Sequence, residues 1–404
     1  MAKQLLIIGA GMATAYLLQE LAGYDCALDI TVIGDEQDHC YNRVLLSSLL
    51  AGEVTEPELQ MLEAGHSASV RFVPGTRAIR IDTEKQQVHC DNGSEHRYDF
   101  LVFATGSSVA VPEMAGVEAR GVEVFRTLKD TRLLRQKNGD NKKAVVAGGG
   151  LLGLEAAHGL NQLGYDTTVV HRNPWPMNRQ LDEEGGAQLR LALESQGIQF
   201  SLGTHINQVL SRDGAVTGIL LDNQQQLDCQ LLVIATGIKA NSELAGKADL
   251  AIDRGILVDE QMRCSREGIF ALGECCQFGS HGFGLVAPIR QQARVLAAQM
   301  MDQPGAGFAI EDWPTQLKIS GIDIYRAGEL DPEAEQLVLR DEERGIYRRL
   351  VIRNEQLIGA VLVGDKRSST WYAELIKNRR NVASMRQGLM FGPEITNQQL
   401  SAAA

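Results

Sequence analysis

Two segments of this chain repeat one grammar, and the repetition restricts the fold more than any other feature. In the first, the apolar run of "QLLIIGAGM" leads into "ATAYLLQELAG", where Tyr16, Leu17 and Leu21 keep helical spacing. "LDITVIGDEQ" follows as a second strand that ends in acids. In the second segment, "KKAVVAGGGLLGLEAAHGLNQLGYDTTVVHR" again runs strand, glycine turn, helix, strand. That order is the βαβ unit of a parallel sheet. A chain of 404 residues has room for two or three domains, and the two units predict two Rossmann-like ones.

The remaining segments fit around these units. "YDFLVFATGSSVAVP" and "CQLLVIATGIKAN" share a buried-type strand and a glycine turn. Each ATG is read as a strand end where the chain crosses between domains. The segment Gly268–Met300 predicts a strand, a loop and a helix. "DQPGAG" reads as a linker. From about Phe308 a separate piece is expected, with the strands of "QLKISGIDIYRAG" and "YRRLVIRNEQLIGAVLVG" and a helix from Ser369 to about Asn378. The last dozen residues are expected to be frayed.

A net charge of -12 argues against a general nucleic-acid or anionic-membrane partner. No apolar run reaches bilayer length, and the N-terminus lacks the apolar core and cleavage site of a signal peptide. The seven cysteines are scattered, with no CxxC pair, which suits a reducing, cytoplasmic setting.

The glycine turns carry the chemistry. In Gly9-x-Gly11 the first glycine permits a tight turn. The second lets backbone amides approach a pyrophosphate at the positive end of the following helix. Thr14 holds the third position and puts β-branched bulk where helix and strand pack. The strand, the helix and the downstream acid Asp35 agree with a dinucleotide site. Gly148-x-Gly150-x-x-Gly153 is complete and stands in the same context. The strand after it ends in His171 and Arg172, where an NAD site often carries an acid. Basic residues there could meet the 2′-phosphate of NADPH, or merely cap an exposed strand end, and NADH and NADPH both stay open. Two such sites suggest FAD plus a nicotinamide nucleotide.

The segments "YNRVLLSSLLAG", "YDFLVFATGS", "FRTLKD", "VVAGGGLLGLEAAHGL", "MNRQLDEEGG" and "GECCQFGSHGFGLVAP" resemble the FAD-dependent pyridine nucleotide oxidoreductases. The branch they resemble is the N-terminal flavoprotein part of the NAD(P)H nitrite reductase large subunit and the electron-transfer subunit of assimilatory nitrate reductase. Rubredoxin and ferredoxin reductases are related. The resemblance spans residues 3–365. It implies an α/β fold: a FAD domain (1–115 and 238–307) split by an inserted NAD(P) domain (116–237), then a small α+β C-terminal domain (308–392) and a tail (393–404).

The resemblance also assigns roles to matching positions. Gly9, Gly11, Met12 and Ala13 would line the FAD pyrophosphate, and Asp35 would meet the adenosine ribose. Arg43 and Ser48 lie where the chain wraps the flavin. Ala78 would back the adenine, Ala104, Thr105 and Gly106 would line the FAD cleft, and Arg126 would reach the FAD side. Gly148, Gly150, Leu152, Gly153, His171, Arg172 and Gly237 would form the nicotinamide-nucleotide side. Glu155 is the candidate catalytic residue, beside nicotinamide and flavin. Ferredoxin reductases usually carry a lysine where this chain has Ser48, so Glu155 lacks that partner. Gly273 and Glu274 would hold the flavin's ribityl chain, with Leu285 and Val286 bringing helix-start amides toward its ring.

Cys275 and Cys276 then need no redox role. A vicinal disulfide is strained, because adjacent Cα atoms lie below the usual disulfide range. Zinc ligation is poorly served by adjacent cysteines and the lone His281, so no metal is expected. Cys40 lacks the second cysteine, five positions on, of the disulfide reductases. Hydride should therefore pass to FAD, with electrons leaving directly to a separate acceptor protein: a nitrate or nitrite reductase component, or a rubredoxin or ferredoxin. No cysteine follows Cys276, so no iron–sulfur cluster is expected within the chain. Arg340 to Arg386 holds eleven Lys/Arg against six Asp/Glu, a net of +5 on an acidic chain. This region is either a docking surface for an acidic carrier or a set of local ion pairs. The reading of another class is a NAD(P)H-binding redox sensor, and an NAD(P)H oxidase is a further possibility.

Overall fold

The computed structural model describes residues 2–24, 28–62, 70–137, 139, 142–303 and 305–396. Two five-stranded parallel sheets form its frame. The first has the order Ile269–Ala271, Phe100–Phe103, Lys3–Ile8, Leu28–Ile33, Val70–Val73. Helices Met12–Leu21 and Val286–Met300 pack together against it. Its strands are apolar almost throughout, as a sheet buried on both faces requires. The second sheet has the order Gln199–Leu202, Asp166–His171, Lys143–Ala147, Leu231–Ile234, Val122–Val124. Helix Leu151–Gln162 runs between its two central βα strands.

The chain crosses between the sheets twice, and the two crossings pair with each other. Ser107–Val109 and Ile238–Ala240 form a two-stranded antiparallel ribbon directly after the two ATG turns. Thr236 Oγ1 donates to the Ala110 carbonyl at 2.6 Å, which ties the second turn to the first crossing.

The third unit is an antiparallel sheet with the order Thr315–Ile319, Ile322–Gly328, Gln356–Val363, Ile346–Arg353, Glu335–Asp341. Its two faces do different work because side chains alternate. Val361 and Val363 face a core shared with Leu189, Leu193 and Met177 of the second unit. Ala360 and Leu362 face helix Ser369–Lys377 through Tyr372 and Leu375. The expected fraying of the tail does not hold for residues 393–396. They form a helical turn, and buried Thr396 donates its hydroxyl to the Gly392 carbonyl at 2.8 Å. Residues 397–404 lie outside the described residues.

Candidate active site

The first glycine turn is tight for a stated steric reason. Gly9 has φ +111°, and a Cβ there would stand 2.1 Å from the Ala104 carbonyl oxygen. Helix Met12–Leu21 opens at Gly11 with no side-chain cap, leaving its first amides unpaired by any side chain. Thr14 is fully buried, and its hydroxyl donates to the Gly9 carbonyl at 2.5 Å. The threonine is therefore a brace for the turn rather than mere bulk. Ala13 touches the loop after strand Ile269–Ala271: a Cβ on Gly273 would lie 3.0 Å from its own. Gly106, at φ +64°, has open space around it, and Thr105 exchanges hydrogen bonds with Asn241 at 2.7 and 2.8 Å.

Two arginines stand beside that uncapped helix end. The nearest atom to a Cβ built on Gly11 is Arg43 Nε, at 3.9 Å. Arg43 pairs with Glu36 and donates to the Arg126 carbonyl at 3.2 Å. Arg126 pairs with Glu274 and donates to Ser107 Oγ at 2.7 Å. Ser107 Oγ in turn donates to Glu274 at 2.8 Å. Arg126 Nε is buried and has no partner. Free helix-start amides, two guanidiniums and an orphaned donor are a donor set in excess of its acceptors, which fits an anionic dinucleotide. Asp35 is largely exposed, with Arg77 3.6 Å away, whereas Glu36 is the strand-end acid drawn into the network. Tyr41 donates to Glu36 at 2.6 Å. Sequence reasoning missed Glu36, Tyr41 and Ser107. Ala78 begins strand Ala78–Asp82 and is buried against the first core.

The second turn is built more tightly. A Cβ on Gly148, φ +123°, would lie 2.3 Å from the Ala235 carbonyl oxygen, and one on Gly153 would lie 1.9 Å from the Gly148 carbonyl oxygen. Gly153 thus occupies the position that Thr14 fills in the first turn. Gly150 caps helix Leu151–Gln162 without a side-chain bond, and Gly237 leaves its surroundings open. Leu152 sits partly buried in the first turn of this helix. His171 accepts the Gly149 amide on Nδ1 at 3.1 Å, and its Nε2 meets Asn178 Oδ1 at 3.1 Å. Burial lowers its pKa, opposed by the Asn178 bond. Arg172 is exposed and forms no ion pair among the described residues.

Glu155 lies one turn into the same helix, partly buried. Burial pushes its carboxyl up to about 7, against a hydrogen bond from Ser47 that lowers it, with Glu53 raising it further. Ser47, not Ser48, is thus the serine that acts on this carboxyl; the Ser48 hydroxyl donates to Glu53 at 2.9 Å. Both serines belong to helix Leu46–Ala51. Gly159 lets the two helices touch, because a Cβ there would lie 2.5 Å from Leu50 Cγ. This contact brings the second dinucleotide turn against the first unit.

Cys40, Cys275 and Cys276 are buried free thiols. Burial raises the pKa of each, that of Cys40 to about 12. Cys275 and Cys276 donate to the carbonyls of Leu272 and Gly273 at 3.3 and 3.2 Å. No group of residues that could hold a metal ion occurs among the described residues. Leu285, 37 % exposed, precedes helix Val286–Met300, whose start has no side-chain cap. An open cleft of ≈ 430 Å³ beside it is lined by Phe283, Pro288, Ile310 and Trp313.

The family model described as pyridine nucleotide-disulphide oxidoreductase matches residues 3–301. The chain belongs to that family. Residues 314–380 of this oxidoreductase match the rubredoxin NAD+ reductase C-terminal domain. It is 34 % identical to the nitrite reductase [NAD(P)H] of Bacillus subtilis (strain 168), over 94 % of this chain and 48 % of that one. It is 33 % identical to the assimilatory nitrate reductase electron transfer subunit of the same organism, over 94 % and 50 %. The oxidoreductase thus spans about half the length of these curated relatives. A solved putidaredoxin reductase–putidaredoxin complex shares the fold, with TM-score 0.87 at 22 % identity over 100 % of this chain and 99 % of that one. The chain is an FAD-dependent NAD(P)H oxidoreductase. No helix among its described residues is long and apolar enough to cross a membrane.

Proposed function

We propose that this oxidoreductase is the electron-entry unit for a separate redox protein in nitrate or nitrite assimilation. The observation that carries the reading is the helix contact at Gly159 and Leu50, which brings Glu155 beside the second glycine turn against Ser47 of the first unit. Bound FAD supplies hydride acceptance from NAD(P)H and electron release to a carrier. Arg43, Arg126 and the amides after Gly11 would hold its phosphates, Glu274 would orient its polyol chain, and Glu155 would hold a proton beside the second glycine turn. The protonated, buried thiols among the described residues offer no dithiol relay, so bound FAD would have to serve the acceptor without one. Relatives over most of this chain are named for nitrite and nitrate reduction, which supports that pathway. A rubredoxin-type acceptor is the second reading, favoured by the match of residues 314–380.

Anaerobic rapid mixing of the flavin-loaded protein with NADH and, separately, NADPH tests the proposal. Fast bleaching of the visible flavin band with one nucleotide, then fast recovery on adding a one-electron carrier protein, is the expected result. Slow bleaching with both would instead favour a sensor. Rapid oxygen consumption without a carrier would favour an oxidase.

A further inference from the structure

Gly149 is the residue of the second glycine turn that the dinucleotide pattern leaves free, yet both its backbone groups are taken. Its carbonyl accepts the Met177 amide at 2.8 Å, and its amide donates to His171 Nδ1 at 3.1 Å. The imidazole stands so near that a Cβ on Gly149 would lie 2.7 Å from His171 Cγ. This contact accounts for a third glycine in "GGG", where the pattern asks for two. The other ring nitrogen, Nε2, meets Asn178 Oδ1 at 3.1 Å, and Asn173 Nδ2 donates to the same oxygen at 3.2 Å. A backbone amide can only donate, so Nδ1 is the acceptor and the single proton of the neutral ring sits on Nε2. Met177, buried at φ +54°, turns the chain at the point where Asn178 meets the ring.

We propose that Asn178 is a positioning residue for the nicotinamide-nucleotide turn: it fixes His171 in the one tautomer that can hold the Gly149 amide, and a second proton on that ring loosens the turn and weakens nucleotide binding. The proposal rests on the reading of Gly148 to Gly153 as the nucleotide turn. An imidazolium carries a proton on each nitrogen. Its Nδ1 proton would face the Gly149 amide, two donors with no acceptor between them. The buried amide would lose its only partner, and the turn would have to shift Gly148 and Gly150 to relieve it. Burial keeps the ring neutral to below the ordinary histidine range, opposed by the Asn178 bond and aided by Arg172. Charged groups on the surrounding elements are Arg172, Arg179 and Asp182 in the returning loop, Glu155 in the helix that the turn opens, and His205 with Asp222 beyond strand Gln199–Leu202. Of these, Arg172 is the one that acts on the ring.

The test is magnetic resonance of isotope-labelled histidine nitrogens in the FAD-loaded protein over a pH series, with His171→Gln identifying the ring among the eight. The unaltered protein should show the Nε2-protonated tautomer at neutral pH. In Asn178→Asp the carboxylate accepts the same proton and favours the imidazolium, so the acid dissociation constant of the ring should fall about tenfold. The concentration of NADH or NADPH that half-saturates anaerobic flavin bleaching should rise as pH falls through the ring's titration. In Asn178→Asp that rise should begin about one pH unit higher. An imidazolium that merely attracted the nucleotide's phosphates would lower the concentration instead. A fall, or no change through the titration, overturns the proposal, as does a proton on Nδ1 in the neutral ring of the unaltered protein. Absence of bleaching by either nucleotide sinks the reductase reading itself. Bleaching whose half-saturation ignores the ring's titration sinks only the role of Asn178.

Discussion

Arg126 and Glu274 meet across the boundary between the two parallel sheets, although 148 residues separate them in the chain. Arg126 follows strand Val122–Val124 of the second sheet, and Glu274 follows strand Ile269–Ala271 of the first. Both side chains are less than a fifth exposed. The pair therefore acts twice, holding the two units in register and setting a cation beside the first glycine turn. Arg126→Gln leaves the Glu274 carboxylate with Ser107 alone. We expect a loss of about 2 kcal/mol, between the limits for exposed and fully buried pairs. FAD content after gel filtration should fall with it. The double change with Glu274→Gln should recover much of the stability and none of the FAD affinity. Urea denaturation together with flavin absorbance would separate these effects. Full FAD retention in Arg126→Gln would remove the arginine from the cofactor's cradle.

Glu155 makes stability depend on pH in a definite direction. Its folded carboxyl is pushed up from 4.5 to about 7, so the folded state keeps a proton that the unfolded chain gives up earlier. The contribution is complete below about 4.5 and is lost as pH rises through about 7. The loss is about 3 kcal/mol as an order of magnitude. Glu155→Gln removes this slope. Its stability relative to the unaltered protein should therefore be higher at pH 8 than at pH 5. Parallel urea curves at the two pH values would show a flat difference if Glu155 titrated normally.

Much of this arrangement is legible in the residues, because a βαβ unit is local. Gly9, Gly148 and Gly153 are each required by a carbonyl within bonding reach, and short-range sequence records that need. Thr14 was legible only as a departure, since its partner is a turn carbonyl set by the folded geometry. Ser47 against Ser48 could not be separated in sequence. Adjacent residues on a six-residue helix point about 100° apart, and only the packing at Gly159 decides which one faces Glu155. The basic count between Arg340 and Arg386 left docking and ion pairing both open for the same reason: charge is read locally, and ion pairs form across the fold. Arg340 reaches Glu184, Arg349 reaches Asp182 and Lys366 reaches Asp323.

Asp182 is one of the residues that fasten the third unit to the second. Its carboxylate accepts the Gly185 amide at 3.2 Å as a helix cap, the Tyr347 hydroxyl at 2.5 Å and Arg349 Nη1 at 2.5 Å. Asp182→Ala removes all three bonds at once. The cap alone is worth about 1 kcal/mol, and the stranded Arg349 adds a comparable or larger cost. The effect should be local to the contact. Hydrogen exchange should speed up in Ile346–Arg353 and Glu183–Glu194 and stay unchanged in Lys3–Ile8. Uniform loss of protection would mean that the three units unfold as one.

We propose Arg172 rather than His171 for contact with a 2′-phosphate, because His171 Nδ1 accepts the Gly149 amide and its Nε2 meets Asn178. Arg172→Ala should raise the KM for NADPH about tenfold, the worth of one charge-assisted contact, and leave that for NADH nearly unchanged. Steady-state kinetics with both nucleotides decides it. Equal effects on the two would place Arg172 away from the ribose.

Within the basic C-terminal segment, docking of a carrier by charge has few cations left to use. Of the eleven between Arg340 and Arg386, Lys377, Arg379 and Arg380 form no ion pair among the described residues. All three are exposed at the end of helix Ser369–Lys377. Steering by such a cluster raises the encounter rate and weakens with salt, while leaving the chemistry at the flavin untouched. The double reversal Arg379→Glu with Arg380→Glu should therefore slow electron transfer to an acidic carrier such as a ferredoxin by about tenfold at low ionic strength. The difference should shrink as salt is raised, and the rate of bleaching by NAD(P)H should not change. Stopped-flow measurement of carrier reduction over a salt series reads both. Carrier kinetics identical to those of the unaltered protein at every salt concentration would leave the cluster as a solvated helix end, with docking to be sought at the apolar cleft beside Leu285 and Trp313.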